Sequence, residues 1–192
     1  LFRSIAPIYL HNLQVDSPWF VMDLAESDLS TDLASGTLDN ASKMHIAEMI
    51  LSGVRFMHTE KTNDPGRKPV YLHRDLKPSN ILRFKDGVYK ISDFGLVKNA
   101  GKERPESELL TRVATAMGTL KYMAPEITTA GHYSEQTDIF ALGVVIDDMG
   151  FDNVNGIRQL IDKCTAWRAA SRYKSVDDMM QELADIKIRN GL

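Results

Sequence analysis

Apolar residues recur along this chain at two spacings, and the change from one to the other outlines the fold. Residues 8–13 and 19–25 are short apolar runs separated by a turn containing Asp16, Ser17 and Pro18, which predicts two strands. Asn40 can cap a helix in which Ile46, Ile50, Gly53/Val54 and Met57 share one face. The polar stretch 59–69, with two prolines and a glycine, reads as a surface loop. Residues 81–84 and 88–91 flank Lys85-Asp86-Gly87, and Asp-Gly suits a tight hairpin turn. Over residues 98–119 the periodicity disappears and charged or hydroxyl residues dominate. A connection of that length in a compact domain is functional or disordered.

Helical spacing returns toward the C-terminus. Residues 138–149 are apolar on nearly every side, which predicts a buried helix. Ile157, Leu160, Ile161 and Cys164 define one buried face of another. Ser175, with Asp178 three residues on, opens a capped helix with Val176, Met179, Met180, Leu183 and Ile186 inward. Two short strands followed by mostly helix, with one central hairpin, make an α+β pattern. The chain carries no internal repeat and no low-complexity tract.

Composition narrows the class. The 192 residues are 43% hydrophobic and 26% charged, enough for one globular domain with a real core and unlike a collagen or a disordered chain. A net charge of −3 offers no basic face, so neither nucleic acid nor an anionic membrane is expected as a partner. The longest apolar stretch, 140–146, is too short to span a bilayer. The single cysteine, Cys164, cannot form an internal disulfide and favours a reducing, cytoplasmic setting; its apolar helical face predicts a buried, inert thiol. Five scattered histidines lack metal-ligand spacing, so no zinc site is expected. No signal peptide is visible, and the chain begins with Leu1, as a piece of something longer would.

The candidate chemistry is concentrated in His73-Arg74-Asp75-Leu76-Lys77-Pro78-Ser79-Asn80, then Asp93-Phe94-Gly95, then Ala124-Pro125-Glu126. Asp93 and Asn80 offer the oxygen ligands that a hard cation such as Mg²⁺ prefers. Lys77 can neutralise a phosphate oxygen, and Asp75 can orient a hydroxyl nucleophile and take its proton. Gly95 lets the backbone turn sharply beside the metal ligand. Phosphoryl transfer asks for little more than such positioning and charge stabilisation.

These three motifs, in this order and at this spacing, resemble the protein kinase family, and the Lys77-Pro78-Ser79-Asn80 form is similar to its serine/threonine branch. The resemblance implies a kinase-like α+β fold, with residues 1–25 as a remnant of the small lobe and hinge. Residues 26–192 would be the large lobe, with its catalytic loop at 73–80 and activation segment at 93–126. It implies ATP and Mg²⁺ as cofactors and transfer of the γ-phosphate to a Ser or Thr hydroxyl of a protein substrate. Asp75 would be the catalytic base, Lys77 the γ-phosphate contact, and Asn80 and Asp93 the metal ligands. Met22 would be the gatekeeper, backbone groups of Asp23 and Ala25 would bond adenine, and Leu82 would lie beneath the purine. Arg74 would grip a phosphothreonine, with Thr115 the first candidate and Thr111 and Ser107 weaker ones, placed by an activating kinase or by autophosphorylation in trans. Thr119, after Gly118, would support Asp75. His73 would be a packing residue, Asp138 would receive backbone donors from the catalytic loop, and Glu126 and Arg172 would form a buried ion pair.

The sequence departs from that pattern in three places. No Gly-rich loop, strand lysine or helix glutamate stands in the residues given. Only Gly150 to Gly156 occupies the place of a loop and substrate-docking helix, and the 59–69 loop is longer than the family's usual link. Two rival readings therefore stand beside a working kinase: a kinase-like scaffold that keeps the fold without turnover, and a kinase for small molecules.

Overall fold

A computed structural model of the chain describes residues 4–12, 14, 16–17, 19–59, 71–93, 98–99 and 119–192. Strands β1 (Leu10–Asn12) and β2 (Trp19–Val21) pair antiparallel, with Leu10 opposite Val21 and Asn12 opposite Trp19. Both are shorter than the apolar runs that predict them, and five of their six residues are exposed. The chain then enters β3 (Ser27–Asp28) and helix α1 (Leu29–Ala34). Asp28 caps α1 by accepting from the Thr31 amide at 3.0 Å. Hydrophobic spacing does not predict a helix this short.

Helix α2 (Asn40–Thr59) carries Ile46, Ile50, Val54 and Met57 on its buried face as expected. Its cap is one residue earlier than the sequence reading: Asp39 accepts from the Ser42 amide at 2.8 Å. The Asn40 carboxamide instead brackets the backbone of Asp152, donating to its carbonyl at 2.7 Å and accepting from its amide at 3.2 Å. Strand β4 (Tyr71–Leu72) leads to the 73–80 loop. β5 (Ile81–Arg83) and β6 (Tyr89–Ile91) form the expected hairpin, and Gly87 takes the left-handed φ of 72° that its turn requires. β5 also pairs with β3, giving a three-stranded order β3-β5-β6, and β4 pairs with β7 (Lys98–Asn99).

The remaining described elements are helical, joined by short loops and turns. Helix α3 (Pro125–Ala130) precedes α4 (Glu135–Asp148), which begins three residues before the apolar run because Ser134 and Thr137 form a capping box. Helices α5 (Ile157–Cys164) and α6 (Val176–Asn190) follow, the latter capped by Ser175 accepting from the Asp178 amide at 3.2 Å. The expected inward residues of α6 are buried apart from Met180, which is half-buried at the core's margin.

One continuous core runs through α2, α4, α5 and α6, with Ile139, Leu142, Leu160, Met179 and Ile186 almost wholly enclosed. Two glycines permit its closest approaches. A Cβ on Gly53 would lie 2.7 Å from the Ile91 side chain and 2.8 Å from the Ser4 carbonyl, so α2 can lie directly on β6. A Cβ on Gly143 would collide with Cys164, which lets α4 and α5 touch backbone to side chain. Burial pushes the Cys164 thiol pKa well up, in keeping with an inert core residue. Among the described residues no helix is long and apolar enough to cross a membrane.

Candidate active site

The 73–80 loop has little regular hydrogen bonding of its own, and its backbone is held by a buried carboxylate from α4. Asp138 accepts from the His73 amide at 2.9 Å and from the Arg74 amide at 3.0 Å. His58, near the end of α2, places Nε2 2.9 Å from the same carboxylate. The His58 Nδ1 is buried without a hydrogen-bond partner, so this ring's polar contact is the one to Asp138. Burial pushes the Asp138 pKa up, but the His58 bond and the backbone donor outweigh it and hold the carboxyl below its ordinary value. The expected role of Asp138 toward the loop is thus present in the hydrogen bonds.

His73 is fully enclosed. Its Nε2 lies 3.0 Å from the Ser92 carbonyl, and its Nδ1 accepts from the Asp75 amide at 3.3 Å. Burial depresses its pKa, so the ring is a neutral strut, in agreement with a packing role. Arg74 has a left-handed φ of 72°, a costly conformation for a residue that carries a Cβ, and its amide bond to Asp138 helps to hold it. Its guanidinium lies 4.4 Å over the Tyr133 ring, with Nε buried and unbonded, and burial lowers its pKa.

Three of the predicted site residues meet at one carboxylate. Lys77 Nζ donates to Asp75 Oδ2 at 2.8 Å, and Asn80 Nδ2 donates to the same oxygen at 2.9 Å and to the Asp75 carbonyl at 2.8 Å. The Asp75 and Lys77 side chains keep 12% and 15% of their surface exposed, so the pair is preorganised yet reachable by a substrate. With its nitrogen bonded to Asp75, Asn80 has its carboxamide oxygen left to meet a hard cation. Asp93 comes immediately after Ser92, whose amide and hydroxyl both bond the Asn80 carbonyl, at 2.9 and 3.0 Å. Asp93 is exposed and has a left-handed φ of 61°. The hairpin thereby brings Asn80 and Asp93 to neighbouring positions, and an oxygen-only donor set of this kind fits Mg²⁺.

The candidate nucleotide residues are less tightly gathered. Met22 is half-buried after β2. Asp23 and Ala25 line an open cleft with Leu24 and Glu26 on one wall and Phe84, Lys85, Asp86 and Lys90 on the other. Leu82, in the middle of β5, is half-buried and does not line it. Asp23 is also fixed from β1's side, since the Tyr9 hydroxyl donates to it at 2.6 Å. Phe94, Gly95, Ser107, Thr111, Thr115 and Gly118 lie outside the described residues. Thr119 opens a 3-10 turn, Thr119–Tyr122, and its side chain too lies outside the description.

That turn docks on the far end of α4, where Tyr122 donates to Asp148 at 2.7 Å and Lys121 pairs with the same carboxylate. Glu126 and Arg172 form the expected pair, bidentate at 2.7 and 2.9 Å, with the Arg172 side chain fully enclosed. Arg172 donates further to the carbonyls of Ala166, Gln136 and Trp167. Sequence reasoning missed His58 and Tyr133. His58 falls on α2's apolar face, a placement that could have marked it, whereas nothing local marks Tyr133.

A helical body presents a carboxylate, a lysine and a carboxamide on a loop between helix and hairpin, the groups that phosphoryl transfer uses for positioning and charge stabilisation. The comparisons agree: the Protein kinase domain family matches residues 4–154, and the chain belongs to that family. It is 36% identical over 110 residues to the L-type lectin-domain containing receptor kinase VII.1 of Arabidopsis thaliana, covering 57% of this chain and 14% of that protein. It is 31% identical over 159 residues to a probable LRR receptor-like serine/threonine-protein kinase of the same plant, covering 80% and 14%. To serine/threonine-protein kinase PAK 5 of Rattus norvegicus it is 29% identical over 147 residues, covering 76% and 18%. The chain thus spans less than a fifth of the length of each of these relatives.

Proposed function

We propose that this chain is the large lobe of a serine/threonine protein kinase with a remnant of its small lobe and hinge, residues 1–25 being that remnant and 26–192 the large lobe. The observation that carries the reading is the Asp75 carboxylate, held by Lys77 and Asn80 on a loop anchored to buried Asp138. In the transfer step a substrate Ser or Thr oxygen bonds to the γ-phosphorus of ATP as the bond to the β-phosphate bridging oxygen breaks, and ADP leaves. Asp75 orients the hydroxyl and takes its proton. Lys77 meets the charge that builds on the γ-phosphate oxygens. Asn80 and Asp93 would hold Mg²⁺, which when bound neutralises phosphate charge. The hinge backbone at Asp23 and Ala25, with Met22 and Leu82, would receive the adenine. Arg74 would answer a phosphate on the activation segment at Thr115, added by another kinase or in trans, and Thr119 would steady Asp75. A reducing, cytoplasmic setting fits the one buried thiol.

The test is the identity of the acceptor. The full-length protein would be incubated with labelled ATP, Mg²⁺ and a Ser/Thr-rich protein, and the products separated by phosphoamino acid. Label on serine and threonine is the expected result. Label only on tyrosine or on a small metabolite overturns it. Mg²⁺-dependent ATP binding without any transfer replaces it with the scaffold reading.

A further inference from the structure

The three-stranded sheet β3-β5-β6 has two faces with different tasks. Successive side chains of a strand alternate between faces, and Arg83 and Tyr89 are direct cross-strand partners, as are Leu82 and Lys90. Arg83 and Tyr89 turn toward α1, which puts Leu82 and Lys90 on the opposite face. On the α1 side both converge on one carboxylate: the Tyr89 hydroxyl donates to Asp32 Oδ2 at 2.6 Å, and Arg83 Nε donates to the same oxygen at 3.0 Å. Arg83 Nη1 continues the chain to Glu26 at 2.8 Å, at the exit of the hinge. There the Glu26 amide donates to the Arg83 carbonyl at 2.8 Å. The Asp32 side chain keeps only 15% of its surface exposed, so its bonds to Tyr89 and Arg83 are partly shielded from water, whereas the Arg83–Glu26 pair is exposed. Burial pushes the Asp32 carboxyl pKa up, but Tyr89, Ser27 and Arg83 together hold it below the ordinary value.

We propose that Asp32 is the positioning residue of the nucleotide cleft: its carboxylate ties the hairpin to α1, orients Arg83 toward Glu26 at the hinge exit, and so sets the separation between the hinge backbone and Leu82. Two observations argue for coupling beyond a local staple. The register puts Leu82 opposite Asp28 and Arg83 opposite Ser27, so the residue beneath the candidate purine site is one position from the clamped arginine. The cleft beside Leu82, which does not itself line it, has hinge residues Asp23 to Glu26 as one wall and Phe84 and Lys90, from the same hairpin, in the other. A hairpin released on the α1 side would tilt both Leu82 and this wall away from the hinge. The inference rests on the kinase reading, in which adenine lies between those two walls.

The test compares Asp32→Ala, Asp32→Asn and a remote control, Glu48→Ala, which removes an ion pair between α2 and α6. Two quantities are read in the full-length protein: affinity for Mg²⁺·ATP and hydrogen exchange at the Glu26 amide. Asp32→Ala is expected to weaken ATP binding about tenfold, while Asp32→Asn, which still accepts from Tyr89, loses about threefold or less. Exchange at Glu26 should rise in Asp32→Ala and stay unchanged in the control. ATP affinity within twofold of wild type in Asp32→Ala, or an equal loss in the control, overturns the proposal and leaves the kinase reading intact. Wild-type protein that binds no ATP overturns both.

Discussion

The 73–80 loop and the β1–β2 strand pair are both short stretches with little regular structure of their own, yet they are held in opposite ways. The loop is fixed from below: two of its amides bond a carboxylate on the most buried helix, and His73 bridges its backbone to β6's end. Among the described residues the strand pair has its own register and a tyrosine-to-aspartate bond between Tyr9 and Asp23. Tyr9, Leu10, Trp19, Phe20 and Val21 all remain exposed. Irregular backbone is thus compatible with precision when its polar groups are met by buried partners, and strand pairing alone does not confer it. The groups proposed for phosphoryl chemistry sit on the first kind of support, and the groups proposed for adenine sit largely on the second.

Substitutions should separate the two regions sharply. The largest effect is expected at Arg172→Ala, which strands Glu126 and three carbonyls and should cost about 3–5 kcal/mol, as breaking a buried pair does. An unchanged melting temperature would show that the pair does not brace the body. Next comes Gly143→Ala, where the new methyl meets Cys164. Overpacking of this kind costs about 1–3 kcal/mol in denaturant titrations, with the loss read as a lower midpoint at constant slope.

Acid should find the same body. The depressed pKa of His73 means that the unfolded chain binds a proton the folded chain refuses. Its contribution is full above the ordinary histidine value of 6.5 and is lost as pH falls below it. Asp138, also depressed, contributes fully above 3.8 and loses that contribution as pH falls through its lower folded value. Unfolding free energy followed from pH 8 to pH 3 should therefore decline in two stages, and His73→Gln should remove the first. A decline below pH 6.5 that persists undiminished in His73→Gln would place the titrating group elsewhere. The smallest effects belong to the strand pair. Leu10→Ser or Phe20→Ser should shift stability by less than about 0.5 kcal/mol, whereas Leu142→Ser in α4 should be severely destabilising. A large loss at Leu10 or Phe20 would mean that the ribbon is covered in solution.

The contrast also marks how far sequence could reach. Contiguous motifs carried the candidate site: His73 to Asn80 holds Asp75, Lys77 and Asn80 within one loop, and the Asp86-Gly87 turn brings Asp93 back beside it. The long helices declared themselves because each buries an apolar stripe over several turns. Features resting on one polar contact did not. Helix α1 depends on the Asp28 cap, the start of α4 on Ser134 and Thr137, and the start of α2 on Asp39 where Asn40 was expected. Pairings of two residues, such as β3 with β5 and β4 with β7, leave too little pattern to read. The Asp32 cluster joins residues 51 and 57 positions apart, and hydrophobic spacing carries no information about such polar convergence. The roles of Asp138 and of the Glu126–Arg172 pair were reachable only through resemblance to a family, because no local pattern links them to their partners.

The most direct measurement compares wild type with Asp75→Asn in the full-length protein, with phosphate transfer and Mg²⁺·ATP affinity recorded on the same samples. If Asp75 is the base held by Lys77 and Asn80, transfer should fall by about 10²–10⁴-fold while nucleotide affinity stays near that of wild type. Equal transfer by the two proteins would contradict the account, because the carboxylate around which the site is built would then take no part in the chemistry.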